Sequence, residues 1–308
     1  MNDHIASRIQ EQPAFERSVV LDYLELMKPE LTGLSVLTAL CGYYLAAAAV
    51  NGLDFFFTGL GTLLLGGGAG SLNQYAERSF DLLMKRTERR PLPAGRLKPN
   101  QVLYFGILTS AAGLTVLFLG LNVLTGVLGT ATFLLYVVVY TPLKRKTWTS
   151  TLVGAVPGAL PPVMGWTAAG GALDFPAAVL FAILFLWQIP HFLSLAWMYR
   201  KDYARAGYKI LTVIDASGGR AAMQSLLYCA ALIPAALAMS LAGTTGTMYG
   251  IGSVLLGGAF LVFAILFRKY ARHSDREQAL VNQHARLLFF ASLMYLPALF
   301  FLMTVDKV

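Results

Sequence analysis

Long apolar blocks of about 20 residues recur along this chain, and a block of that length crosses a hydrocarbon core roughly 30 Å thick as one helix. They predict crossing helices at 31–50, 55–80, 100–119, 121–141, 150–168, 176–199, 221–241, 247–267 and 285–304. Of the 308 residues, 56% are hydrophobic and only 13% charged, too few charges to cover a soluble surface. The expected fold is therefore an all-α, polytopic membrane protein of nine transmembrane helices. A soluble enzyme, a disordered chain and a disulfide scaffold are excluded.

The basic residues test that count, because Lys and Arg stay on the cytoplasmic side of a membrane. Arg8, Arg17 and Lys28 precede the first span, and Arg78, Lys85, Arg86, Arg89, Arg90, Arg96 and Lys98 lie between the second and third. Lys144, Arg145 and Lys146 follow the fourth, and Arg200, Lys201, Arg205, Lys209 and Arg220 follow the sixth. Arg268, Lys269, Arg272, Arg276 and Arg286 come between the eighth and ninth. These are 23 of the 24 basic residues, and only Lys307 falls on the other face. An N-in, C-out bundle follows, since a miscount of one span would scatter the charges over both faces. Residues 1–30, with Asp3, Glu11 and Glu16 and no early apolar run, read as a cytoplasmic tail rather than a signal or transit peptide. Residues 31–305 then form one transmembrane domain. The net charge of +8 is accounted for by orientation, and no nucleic-acid motif accompanies it. Cys41 and Cys229 sit inside apolar blocks without CxxC spacing and read as small buried hydrophobes.

Three inward-facing segments carry chemistry. After the second span, Asn73, Glu77 and Asp81 recur at i, i+4 and i+8, which sets three oxygen-bearing side chains on one stripe of a helix leaving the membrane. Such a stripe suits Mg²⁺, which takes few protein carboxylates and completes its octahedron with water and phosphate oxygens. The run Arg86-Thr87-Glu88-Arg89-Arg90-Pro91-Leu92-Pro93 follows, and the planar fork of Arg pairs bidentately with phosphate. An ordinary helix end bearing i,i+4 ion pairs is the competing reading, weakened by the desolvation cost of polar groups at the membrane edge. In the second segment Tyr140 and Lys144 share a helix face, with Lys144 and Arg145 as diphosphate clamps or interfacial anchors. In the third, Pro190 is expected to kink the sixth span and turn Gln188 and His191, beside Trp187, towards a cavity. Asp202, eleven residues after His191, is a candidate second metal ligand or a partner for Lys201 or Arg205. The fifth span carries Pro157 and Pro161 and is expected to be broken.

These motifs resemble those of the UbiA superfamily of intramembrane prenyltransferases, over nearly the whole chain from Leu26-Met27-Lys28-Pro29 to the ninth span. The stripe and the Arg86–Pro93 run are similar to the superfamily signature. The stretches starting at Tyr140, at Leu152 and at Trp187, the last continuing to Gly207, resemble its heme O synthase branch. The resemblance implies a UbiA-type bundle in a bacterial inner membrane with its active site towards the cytoplasm. Its implied substrates are farnesyl diphosphate and heme b and its cofactor is Mg²⁺, with a heme A synthase as candidate recipient of the product. It also implies residue roles: Asn73, Glu77, Asp81 and Asp202 as metal ligands, Arg86, Arg89, Arg90, Lys144 and Arg145 as diphosphate contacts, and Trp187, Gln188 and His191 as heme contacts. Whether His191 meets the iron or a propionate stays open. The chain departs from the pattern at Gln74, Glu77 and Ser79, where other acids are usual, and at Ala206 and Lys209–Thr212, which leaves the number of Mg²⁺ ions open. Two alternatives remain: an aromatic prenyltransferase acting on a quinone precursor, which has no need of His191, and a small-molecule transporter with broken helices.

Overall fold

A computed structural model describes residues 18–271 and 278–308; most of the expected tail, with Arg8, Arg17, Arg272 and Arg276, lies outside the described residues. The short helix α1 (Val19–Leu26) leads into α2 (Pro29–Ala46), α3 (Gly52–Asp81) and α4 (Pro99–Gly120). The crossing helix α5 (Val123–Leu143) follows, containing a π-helical turn at Leu135–Tyr140. Next come α6 (Ser150–Ala159), α7 (Pro161–Ala168), α8 (Phe175–Met198), α9 (Arg200–Arg205), α10 (Leu211–Ile214), α11 (Gly219–Leu241), α12 (Thr247–Ala271) and α13 (Gln278–Val305). Among the described residues there is no β-strand.

Seven of these helices are long and apolar enough to cross a membrane: α3, α4, α5, α8, α11, α12 and α13. The chain is thus a multi-pass membrane protein. The other two expected spans are helical in the expected places but do not pass on length and apolarity together. One is α2. The other is the broken pair α6 and α7, where the helix runs through Pro157 and stops at Leu160, because Pro161 and Pro162 lack the N–H groups needed to continue the ladder.

Local chemistry sets the connections on the face that lacks basic residues. Asn51, Asn122 and Asp174 each cap the following helix, accepting from the backbone N–H of Leu53, Thr125 and Ala177. Lys307, the one basic residue there, donates to the carbonyls of Tyr44 and Ala47 at the end of α2. Those are groups that a helix C-terminus leaves without partners, so helix capping explains the exception to the charge pattern.

Backbone-to-backbone contact joins the broken span to α2. A Cβ at Gly165 would lie 1.7 Å from the Ala39 carbonyl oxygen, and one at Gly42 would lie 2.0 Å from that of Pro162. Only glycine permits this approach. The largest buried cluster unites α8, α11, α12 and α13 through Leu180, Trp197, Cys229, Phe260 and Tyr295. Large exposed hydrophobics such as Leu108, Leu119, Leu255 and Phe301 face outward, as a lipid-solvated bundle requires.

Candidate active site

The last turns of α3 hold Asn73, Glu77 and Asp81 at 1%, 7% and 1% exposure. Buried polar groups need partners, and each of the three has a basic one. Lys28 donates from Nζ to Asn73 Oδ1 at 2.6 Å. Lys144 Nζ lies 2.5 Å from Glu77 Oε1, and Arg90 Nη1 donates to Asp81 Oδ2 at 2.8 Å. Three tethered cations from three separate segments thus cover the three oxygen donors of one helix stripe.

The folding that brings them there is local. Gln74 donates to the carbonyls of Glu25 and Leu26, fastening α1 along α3. Lys28 then turns the chain into α2 with φ 50°, the only positive φ of a non-glycine among the described residues. That conformation costs a residue with a side chain about 1–2 kcal/mol, and the ammonium reaches Asn73 as a result. Burial, and next the charge of Arg90, pull the Lys28 ammonium down to about 7. The π-helical turn of α5 comes just before Pro142, which has no N–H to give; there Thr141 donates to the Tyr136 carbonyl and accepts from Asn73 Nδ2 at 3.1 Å. This bond fixes the Asn73 amide so that Oδ1 faces Lys28. Beyond the turn, Lys144 stands 4.9 Å from the centre of the Tyr140 ring. Burial works against its charge, but the Glu77 carboxylate holds it well above its ordinary value. Gly207, at φ 72°, returns the chain so that buried Tyr208 packs edge-on against Phe80. Burial, and then Glu77, push the Tyr208 phenol up, leaving it a neutral O–H donor.

Lys28, Thr141 and Tyr208 are site residues absent from the sequence reading. A Lys before Pro29 reads as one more inner-face charge. Among the five basic residues expected at the diphosphate, Arg90 and Lys144 touch the stripe. Arg86, Arg89 and Arg145 are exposed at the rim: Arg86 donates to the Tyr203 hydroxyl at 3.1 Å, and Arg145 stands 4.3 Å over the Phe80 ring. Asp202 on α9 pairs with Arg205, and no three His, Cys, Asp or Glu side chains among the described residues form a metal-binding group. Asp202 is therefore placed beside the rim, one residue from the Tyr203 that meets Arg86, and not within the stripe.

The donor set suits a magnesium ion. Asp81 Oδ1 is buried without a hydrogen-bond partner. An orphaned carboxylate oxygen beside a second carboxylate and an amide oxygen gives the one or two carboxylates that Mg²⁺ uses alongside phosphate oxygens.

On α8 the expected heme contacts divide. Trp187 and His191, at i and i+4, both face α13: Trp187 Nε1 donates to the Ser292 carbonyl at 2.9 Å, and His191 Nδ1 lies 2.8 Å from Ser292 Oγ. The imidazole stacks against both Trp187 and Phe289, with ring centres 4.9 and 5.0 Å away. Gln188 instead reaches the carbonyls of Leu184 and Ala155, pressed onto α6 at Gly158. Gln188 and His191 thus point to different neighbours, because the amide satisfies itself on α6 and on its own helix. Pro190 lies within α8 without ending it.

Comparisons agree with this arrangement. A family model described as the UbiA prenyltransferase family matches residues 35–303. A protoheme IX farnesyltransferase of Solibacter usitatus is 44% identical over 296 residues, covering 93% of this chain and 98% of that protein. Its counterpart from Salinibacter ruber is 44% identical over 286 residues, covering 92% and 98%. A solved structure of digeranylgeranylglyceryl phosphate synthase superposes with a TM-score of 0.73 at 14% identity, covering 93% of this chain and 98% of that one. A UbiA homolog from Archaeoglobus fulgidus bound to DMAPP and Mg²⁺ gives 0.64 at 15% identity, covering 92% and 99%. At such identities these two solved structures speak for the fold.

Proposed function

This chain belongs to the UbiA prenyltransferase family, and we propose that it transfers the farnesyl group of farnesyl diphosphate to a vinyl group of heme b, giving heme O. The observation that carries the reading is the buried oxygen stripe of α3 with a tethered cation on each donor. That arrangement has the charges a diphosphate leaving group needs, held beside an apolar bundle.

Asn73, Glu77 and Asp81 would hold Mg²⁺, with Asp202 approaching from the rim. When bound, the ion supplies Lewis-acid neutralisation of the departing diphosphate. Lys28, Lys144 and Arg90, which lie against the stripe, would be the cations available to the phosphate oxygens once the stripe held the ion. In the free protein Glu77 and Asp81 each keep a counter-ion, which matters because an uncompensated buried charge costs several kcal/mol. Arg86, Arg89 and Arg145 add outer contacts from the rim. Donors placed in advance where negative charge develops stabilise the leaving group without reorganisation. The farnesyl C1–O bond breaks and diphosphate departs with the electron pair. The heme vinyl carbon then bonds to C1, and water adds its hydroxyl to the resulting cation and releases a proton. Tyr140 and Tyr208 flank the site, their ring faces suited to a cation, and the bundle excludes bulk water until the carbon–carbon bond has formed.

The same reading takes α2 and the α6–α7 pair as the two remaining crossings. Nine segments then run N-in and C-out, with residues 1–30 as a cytoplasmic segment and 31–305 as the prenyltransferase domain. Basic residues gathered at one set of connections support this. In a bacterial inner membrane the stripe then faces the cytoplasm, where farnesyl diphosphate is soluble, and the product passes to a heme A synthase. Incubating the purified protein with farnesyl diphosphate, Mg²⁺ and either heme b or 4-hydroxybenzoate decides the acceptor by mass spectrometry. Farnesylated heme is expected; prenylated benzoate with untouched heme overturns the reading.

A further inference from the structure

The first helix is amphipathic in the sense opposite to that of a helix in water. In α1 the acids turn inward: Asp22 is 2% exposed, Arg96 Nε donates to its Oδ1 at 2.8 Å, and Arg96 Nη2 donates to Glu25 Oε2 at 3.4 Å. Val20, Leu21 and Leu24, grouped at i, i+1 and i+4 on the opposite side, are 66%, 51% and 49% exposed. Among the described residues nothing covers them.

Depth shows what does. Gln74, which fastens the end of α1, lies seven residues before the end of α3. Phe105, whose ring centre is 4.8 Å from that of Tyr23, lies six residues after the start of α4. At 1.5 Å per residue α1 therefore sits about 9–10 Å inside the ends of two crossing helices, the depth at which an interfacial helix beds its apolar face. Leu31 and Leu37, next along the chain on α2, are exposed as well. A second protein is a poor fit for so small a face, since a stable interface takes about 20–30 residues a side.

The same helix is tied to the site. Lys28, two residues beyond α1, reaches Asn73. Arg96 uses all three guanidinium nitrogens, the third being Nη1, which donates to the Arg89 carbonyl at 3.0 Å. It thereby staples α1 to the loop that carries Arg86, Arg89 and Arg90. We propose that α1 is bedded in the lipid interface through Val20, Leu21 and Leu24, and that this contact holds Lys28 and the Arg86–Arg96 loop at the metal stripe. The coupling to the site rests on the diphosphate reading above; the lipid contact does not.

Two measurements on the full chain in phosphatidylcholine nanodiscs give the test. With Cys41 and Cys229 replaced, nitroxide labels are placed on Val20→Cys, Leu24→Cys and, as a water-facing control, Glu88→Cys, where the native residue is exposed. Electron paramagnetic resonance then compares collisions with oxygen, which concentrates in lipid, and with a water-soluble nickel chelate. The two α1 labels should collide mainly with oxygen and the control mainly with nickel. Nickel collisions on α1 equal to the control would overturn the lipid contact. So would shielding from both reagents, the mark of a protein cover, or spin–spin broadening, the mark of a second copy. Calorimetric titration of farnesyl thiodiphosphate, an unreactive analogue, with Mg²⁺ present reads the coupling. Leu24→Asp should weaken its binding about tenfold or more, the worth of the charged hydrogen bond made by Lys28, and Leu24→Phe should match the wild type. Unchanged binding by Leu24→Asp, or equal loss in Leu24→Phe, would remove the coupling. A wild type that binds no farnesyl thiodiphosphate would instead sink the diphosphate reading, with the lipid result judged on its own.

Discussion

Lys144→Met removes a charge while nearly keeping the side chain's length, and it should move two measured quantities in opposite directions. In the free protein Lys144 neutralises Glu77; the two side chains are 15% and 9% exposed. Removing one partner of a buried ion pair typically costs about 3–5 kcal/mol, because the other charge is left uncompensated. Partial exposure and the nearby Lys28 argue for the lower end, about 3 kcal/mol. A divalent cation arriving at Glu77 relieves that penalty, so Mg²⁺ should bind the variant about a hundredfold more tightly, at about 1.4 kcal/mol per factor of ten. The charge lost from the leaving group acts the other way: removing one preorganised donor lowers turnover by about 10²–10³-fold. The assay pairs calorimetric titration of Mg²⁺ into diphosphate-free protein with single-turnover release of diphosphate in the presence of heme b. Circular dichroism confirms that the helices persist. Lost turnover with unchanged or weaker Mg²⁺ binding would refute the argument, since Lys144 would then not compete for the metal position.

Asp81→Asn keeps the shape but removes the orphaned carboxylate charge and the counter-ion of Arg90; turnover should fall by at least 10²-fold in a radiolabelled farnesyl transfer assay, with a lowered midpoint of thermal unfolding. Arg90→Ala should raise the KM for farnesyl diphosphate about tenfold or more, one charged hydrogen bond being worth about 1.5–3 kcal/mol, and steady-state kinetics will show it. Gly165→Ala pushes a methyl into the Ala39 carbonyl and should destabilise the bundle by about 1–3 kcal/mol or more, lowering the midpoint of thermal unfolding. With Cys41 and Cys229 replaced, a cysteine at Arg89 should react with an impermeant maleimide only from the cytoplasmic side and one at Gly171 only from the other; reaction of both from one side would break the nine-span topology.

Much of the bundle was readable from the sequence because lipid imposes one dominant pattern, and the expected spans coincide with α2 to α8 and α11 to α13 to within a few residues, α13 starting earlier. The break in the fifth span was also readable, since Pro161 and Pro162 remove two donors in succession, although the helix tolerates Pro157. The i, i+4, i+8 stripe was plain because it lies on a single helix. Its partners were not. Lys28 is 45 residues from Asn73, and its left-handed backbone leaves no mark in composition. Thr141 meets Asn73 only because α5 widens into a π turn before Pro142. Arg89 and Arg145 carry the right charge, but the fold leaves them at the rim, and no sequence pattern separates an inward arginine from an outward one. Gln188 and His191 are three residues apart, yet one reaches the Ala155 carbonyl on α6 and the other a hydroxyl on α13.

The central claim is that a divalent cation on the α3 stripe drives departure of diphosphate from the farnesyl chain. Diphosphate release from farnesyl diphosphate, measured with heme b on protein stripped by a chelator and then reloaded, addresses it directly. The account predicts no release above background from stripped protein and full recovery with Mg²⁺ in the wild type but not in Asp81→Asn; release at the normal rate from the stripped protein would contradict it.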